Sequence, residues 1–272
     1  MLDAMPEDSF ERARTLANGG DVKGAAQVLA RYLEVTPGDA AAHFQLAHLL
    51  LKLGDAQGAV NGFERALALE PDNAVTHNDL GAVLEALGRE PEAAQAYERA
   101  AGARPPFPPA KYNLALILSR QGQLDEAVRQ LRETLEQAPG FRAARHQLGH
   151  VLRQLGQEDA ARACFDDLLA GDPKDIEARR AISEMHIDRC RFADAAEQLE
   201  QCLVLAPEDV PATLALGACL QELGRVDEAL AHYRRLLKRD RSRYYDVVKK
   251  LTGASRGRFW VKTAELRHAL LG

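Results

Sequence analysis

Amide, imidazole and guanidinium groups recur along this chain at the spacing of one helix face, and together they supply the chemistry for holding a peptide. His146, Gln147, His150, Arg153 and Gln154 fall on one such face, and Tyr112, Asn113, Leu116, Ser119 and Arg120 on another. Phe44, Gln45, His48 and Lys52 precede them, with Asn78, Asp79 and Glu85 between. Amides hold an extended backbone through paired donors and acceptors, and Arg or His beside them favours an acidic side chain or a terminal carboxylate. The candidate peptide ligands are therefore Phe44, His48, Asn78, Tyr112, Asn113, Arg120, His146, Gln147, His150 and Arg153, and the expected partner is a protein or peptide bearing acid groups. Further along the sign changes, through Glu177, Arg180, Glu184, Asp188 and then Glu222, so the predicted face is basic in the middle and acidic toward its end.

Other chemistries find less support. His186 and Cys190 stand four apart on a predicted helix, but a closed tetrahedral ion needs four ligands and no local pair completes the set, so no metal or cofactor is expected. They read instead as departures from a packing pattern that loosen it locally. The chain has no P-loop, dinucleotide fingerprint, H-E-x-x-H, G-x-S-x-G or EF-hand loop, and it reads as a non-enzyme. Cys164, Cys190, Cys202 and Cys219 form no C-x-x-C pair and read as reduced core fillers.

The elements that must carry these residues repeat. Pro37, Pro71, Pro105, Pro139, Pro173 and Pro207 are each 34 residues apart, a period that marks a stacked array of helical hairpins. Units of 34 residues begin at Pro6, Ala40, Ala74, Pro108, Arg142, Ile176 and Val210. Within them, one column is apolar from Leu46 through Leu80, Leu114, Leu148 and Ile182 to Leu216, with Arg12 the departure. The next column is small throughout: Ala13, Ala47, Gly81, Ala115, Gly149, Ser183 and Gly217. Helices approach closely only over small side chains, so this column predicts where two helices cross. Gly20, Gly54, Gly88, Gly122, Gly156 and Gly224 end the first helices, with Cys190 in that place in the sixth unit. The second helices carry Ala25, Ala59, Ala93, Ala127, Ala161, Ala195 and Ala229, each followed four residues later by a bulky apolar side chain, from Leu29 to Tyr233.

On these columns the chain resembles a tetratricopeptide repeat (TPR) protein over residues 6–241. The resemblance implies an all-α, right-handed superhelical solenoid of about seven helical hairpins, whose first helices line a concave groove and bind a partner's peptide segment as an adaptor. The Lys and Asn pattern of the carboxylate-clamp subclass is absent: Asn78 and Asn113 match only fragments of it, so a chaperone tail is not the expected guest. PPFPP at Pro105 to Pro109 reads as a stiffened joint between the third and fourth units, or as a polyproline ligand for another domain.

Composition fits this picture. Hydrophobic residues make up 46% of the chain and aromatics only 6%, which favours helix over strand. No run of 18 apolar residues occurs and the N-terminus is acidic, so a cytoplasmic protein without a membrane span is expected, and 27 Arg against 8 Lys point to a bacterial source. From Arg234 onward twelve Lys or Arg face three acids, a local charge of +9, so the rest carries −14 against the overall −5. Residues 242–272 read as basic C-terminal capping helices, the first with Tyr244, Val247, Val248 and Leu251 inward and ended by Gly253. Arg256, Arg258, Phe259, Trp260 and Lys262 are a candidate second contact, through charge and aromatic stacking. They leave open nucleic-acid or polyanion binding as an alternative function, and an acidic body with a basic end permits self-association into a structural scaffold.

Overall fold

The computed structural model describes residues 6–253 and Leu270, and the regular elements among them are all helical. In chain order they are α1 (Pro6–Asn18), α2 (Val22–Val35), α3 (Ala40–Lys52), α4 (Ala56–Leu69), α5 (Ala74–Ala86), α6 (Glu90–Ala101), α7 (Pro108–Arg120) and α8 (Leu124–Gln137). There follow α9 (Arg142–Gln154), α10 (Glu158–Gly171), α11 (Ile176–Asp188), α12 (Phe192–Leu205), α13 (Val210–Glu222), α14 (Val226–Arg239), a 3-10 turn (Arg241–Arg243) and α15 (Tyr244–Gly253). The chain forms two compact units, one up to Ala144 and one from Arg145. In the first, α1 packs on α2, α3 on α4, α5 on α6 and α7 on α8, and each hairpin touches the next. In the second, α11 pairs with α12 and α13 with α14, and α10 meets α11 as α12 meets α13.

Punctuation in the sequence sets these lengths. After α3, Gly54 takes φ +83, its N–H donates to Leu51 O at 3.0 Å, and the Asp55 N–H donates to Leu50 O at 2.9 Å, which closes the helix end. A left-handed residue there costs glycine little. The second helices stop differently: Thr36, Glu70, Ala138, Asp172 and Ala206 each precede a proline and leave the helical region. Asp39, Asn73, Asp175 and Asp209 then cap the next first helix by accepting from a backbone N–H, between Asp39 and Ala42 at 2.9 Å for instance. A further latch joins the two events. His43 and His77 donate from Nε2 to the carbonyls of Pro37 and Pro71 at 3.0 and 2.8 Å, and Arg179 donates from Nη2 to Pro173 O at 2.8 Å.

Inside each hairpin the small column meets the bulky one, and their sizes match. A methyl group on Gly81 would sit 2.7 Å from the Tyr97 ring and one on Gly149 2.6 Å from Phe165, while Gly217 lies equally hard against Tyr233. Where the bulky residue is Leu29, Leu131 or Leu199, the small one is Ala13, Ala115 or Ser183. The exception, Ala47 with Phe63, is relieved by Gly62, whose added Cβ would lie 2.9 Å from that of Ala47. Tyr97, Phe165, Tyr233 and Phe63 are fully buried as a result.

The sixth hairpin is less altered than its sequence suggests. Cys190 adopts φ 56 and its N–H donates to Ile187 O at 2.8 Å, while Arg191 N–H reaches His186 O at 2.8 Å, the same closure as at Gly54. The expected loosening is therefore replaced by a regular turn that holds a strained side chain. The cysteine expectation holds for two positions only. Cys202 and Cys219 are buried, which pushes their thiols up to about 11, whereas Cys164 is half-buried and Cys190 is exposed, because a left-handed turn residue points outward.

At the C-terminal end α15 lies on α13, with Val247 and Leu251 buried and Tyr244 and Val248 packed beside them. Leu270 is buried in the same cluster. These residues cover apolar surface of the α13–α14 hairpin.

Candidate peptide-binding faces

The first helices present the predicted ligands, and the two units arrange them separately. In the first unit a line of contacts runs across α3, α5 and α7. Phe44 and His48 pack edge to face with centroids 4.6 Å apart, and both rest on the buried Phe63 ring, at 5.6 and 5.2 Å. His48 Nε2 lies 3.0 Å from Asp79 Oδ2 on α5. Asn113 on α7 donates from Nδ2 to Asn78 Oδ1 at 2.9 Å, and Asn78 donates to Asp79 Oδ1 at 3.2 Å. Arg120 Nη2 donates to Glu85 Oε1 at 2.7 Å, and Glu85 Oε2 accepts from the Tyr97 hydroxyl at 3.1 Å. Burial and the Glu85 carboxylate raise the Tyr97 phenol above its ordinary range, so it stays a donor. Tyr112 stacks at a tilt on Phe141 with centroids 5.0 Å apart.

In the second unit α9 faces α11. His146 is buried and its Nε2 lies 2.9 Å from Oδ2 of Asp175, whose Oδ1 already caps α11. A carboxylate only accepts, so the ring carries its proton on Nε2, and Nδ1 is left buried with no partner among the described residues. His150, one turn on, packs edge to face on Phe165 at 5.2 Å with Nε2 3.8 Å from Glu177 Oε1. Burial holds the His150 imidazole below its ordinary value, and the nearby Glu177 charge only partly offsets this. Arg153 Nη1 donates to Glu184 Oε2 at 2.5 Å, with Asp188 at 3.8 Å. Gln147 sits half-buried on the same helix.

These contacts correct the expectation of a basic middle and an acidic end. The two charge zones are each other's partners one repeat apart: Arg120 with Glu85, Arg153 with Glu184 and Asp188, His150 with Glu177, and Arg180 within 3.8 Å of Asp209. What reads as charge separation along the sequence is charge neutralisation across the stack, worth only fractions of a kcal/mol per exposed pair (about 0–1) yet enough to change the face's chemistry. Asp175 is a residue of this face that the residue types alone did not single out. Its signal, and that of the pairs, is an offset near one repeat: 31 residues for His48 and Asp79 or Arg153 and Glu184, 35 for Asn78 and Asn113 or Glu85 and Arg120. Arg256, Arg258, Phe259, Trp260 and Lys262 lie outside the described residues.

Models of the family described as tetratricopeptide repeat match residues 10–62, 44–108, 84–140, 118–185 and 187–251. No curated protein sequence matches this chain. Among solved structures, PilW, described as a widely conserved type IV pilus biogenesis factor, is 20% identical with a TM-score of 0.64, covering 79% of this chain and 100% of its own. Pseudomonas aeruginosa pilF is 20% identical with a TM-score of 0.62, covering 76% and 94%. YrrB, described as a TPR protein with an unusual peptide-binding site, is 23% identical with a TM-score of 0.59, covering 69% and 96%. At these identities the likeness is one of fold.

Proposed function

The chain belongs to the tetratricopeptide repeat family, and from that premise we propose that it is a non-catalytic interaction scaffold that holds an extended segment of a partner protein against the first-helix face of its first unit. The observation that carries this reading is the amide pair Asn78 and Asn113. Asn113 spends one N–H on Asn78 at 2.9 Å, which fixes its orientation and leaves its Oδ1 for a guest N–H. Phe44 on one side and Tyr112 on the other supply half-buried aromatic surface for guest side chains. Arg120 and His48 on this face each have a carboxylate beside them, so an acidic guest residue is held at Arg120 only by exchange, displacing Glu85. The peptide backbone, more than its charge, is what the face recognises. Among the described residues no helix is long and apolar enough to cross a membrane.

Peptides selected from a displayed random library against the full chain provide the test. Asn78→Ala with Asn113→Ala should weaken the selected peptides by about tenfold or more, since two backbone contacts are lost. Arg132→Ala with Glu136→Ala, exposed on α8, should leave affinity unchanged. Equal affinity in the amide variant would remove this face as the site. With Glu85→Gln, acidic peptides should gain affinity and neutral ones should not, if carboxylate exchange at Arg120 operates.

A further inference from the structure

Two imidazoles and two carboxylates converge between α9 and α11 in a way that peptide capture does not require. His146 and His150 are four residues apart on α9, one turn along the same face. Opposite them α11 begins, with Asp175 at its cap and Glu177 in its first turn. Donor atoms of His146, His150 and Glu177 all lie within 4.8 Å of one another. The individual separations are 2.9 Å from His146 Nε2 to Asp175 Oδ2, 3.9 Å from the same nitrogen to Glu177 Oε2, and 3.8 Å from His150 Nε2 to Glu177 Oε1. Ligands bonded at about 2.0–2.2 Å to one ion stand roughly 3–3.5 Å from each other in tetrahedral or octahedral arrangement, so His146 and Asp175 are already at ligand spacing, while the gaps to Glu177 must close by roughly half an ångström and the widest gap in the set, at most 4.8 Å, by more.

We propose that this cluster is a divalent transition-metal site, with His146 Nε2, His150 Nε2, Glu177 and Asp175 Oδ2 as ligands and Zn2+ as the ion whose preferences it fits. Two imidazoles with two carboxylate oxygens form a borderline donor set suited to Zn2+ or Co2+ and lacking the all-oxygen shell that Ca2+ or Mg2+ prefers. Positioning is largely in place. Asp175 is buried and held by the Ala178 N–H at 3.0 Å, and the His150 ring is fixed against Phe165. When the ion takes Nε2 of His146, the ring's proton moves to Nδ1, which is buried without a partner among the described residues, and this cost sets the affinity in the micromolar range rather than that of a closed structural site. The ion would tie α9 to α11 in the second unit.

The test uses the full chain, free of any histidine tag and treated with chelator, titrated with ZnCl2 by calorimetry and with CoCl2 by visible absorption. The proposal predicts one ion per chain at a dissociation constant of roughly 1–50 µM. Glu177→Gln should weaken binding about 10–100-fold. Because the Glu177 side chain is 57% exposed, that variant should fold and melt as the native chain does without metal. A second readout is the melting temperature with excess Zn2+, which should rise for the native chain and not for Glu177→Gln. His232→Ala, on α14 and outside the cluster, should bind Zn2+ as the native chain does. Binding no tighter than about 1 mM, or Glu177→Gln and native chains giving the same titration, would overturn the site.

Discussion

The α5–α7 face of the first unit and the α9–α11 face of the second follow one rule and arrive at different chemistry. In each a guanidinium reaches the neighbouring repeat's glutamate, Arg120 to Glu85 at 2.7 Å and Arg153 to Glu184 at 2.5 Å. Beside that bridge the first unit places two amides, which carry no charge at any pH and can serve a backbone, while the second places two imidazoles against Asp175 and Glu177. The supporting layer differs too. The second unit's pair lies over Gly149 and the Phe165 ring, where the same columns on α7 and α8 hold Ala115 and Leu131. A periodic fold thus fixes where a side chain stands and leaves its chemistry free, provided that the layer beneath is resized to suit.

Resizing can be broken directly, and this carries the largest effect. Gly149→Ala puts a methyl 2.6 Å from a ring that is fully buried and has nowhere to move, so it should cost about 2–3 kcal/mol and lower the melting temperature accordingly. Adding Phe165→Leu recreates the Ala and Leu pairing of α7 and α8 and should recover most of that loss, which a double-mutant cycle would register as a strong coupling. Thermal unfolding of the three variants checks it, and additive losses would refute size matching.

The next effect runs the other way. Gly20, Gly54, Gly88 and Gly122 close the first unit's turns, whereas the turn after α11 uses Cys190 at φ 56. A non-glycine residue there costs roughly 1 kcal/mol, so Cys190→Gly should raise the urea midpoint by about that much of stability, while Gly88→Cys should lower it. If Cys190→Gly is neutral or harmful, the side chain has a role that outweighs the strain.

One turn earlier, His186 replaces the leucine that the first unit has at Leu50, Leu84 and Leu118. It is buried among Arg162 of α10, 3.3 Å from Nε2, Asp194 of α12, and Arg189 and Arg191 of the turn. Burial first, and then the arginines, hold its pKa below the ordinary value. A depressed histidine contributes stability that is whole above the unfolded value near about 6.5 and is lost as pH falls through the lower folded value. Urea midpoints for the native chain and His186→Leu should therefore diverge between about pH 8 and pH 5, with the variant ahead in acid. Parallel curves would mean that the ring is protonated and accommodated in the fold.

The sequence makes the fold legible because its strongest signals are local. The prolines of the 34-residue series disfavour helix in the residue before them, and the glycines select the left-handed turn, so helix ends can be read without knowing any tertiary contact. Asn78, Asn113 and the histidines are legible as face residues for the same reason. Their partners are not, because pairing across repeats depends on the axial shift between adjacent helices: Glu85 meets Arg120 at an offset of 35 residues, but Arg153 meets Glu184 at 31. Asp175 was hidden by its other task, since an aspartate before a helix is already explained as a cap by one carboxylate oxygen.

The bridges themselves bear the smallest expected effect and the finest comparison. Arg120→Ala and Arg153→Ala should each cost under about 1 kcal/mol, because both pairs are open to solvent. Their costs should nonetheless differ. Arg120 also lies 3.9 Å from Glu90, but losing it leaves Glu85 still accepting from the Tyr97 hydroxyl and Glu90 from the Gln121 amide, whereas losing Arg153 leaves Glu184 and Asp188 on α11 without their guanidinium. Arg153→Ala should be the costlier of the two at low salt, and the gap should close near 1 M NaCl, where screening acts within about 3 Å. Urea unfolding of both variants at low and high salt measures this, and a gap that persists at high salt would assign the difference to packing of the arginine stem instead of to charge.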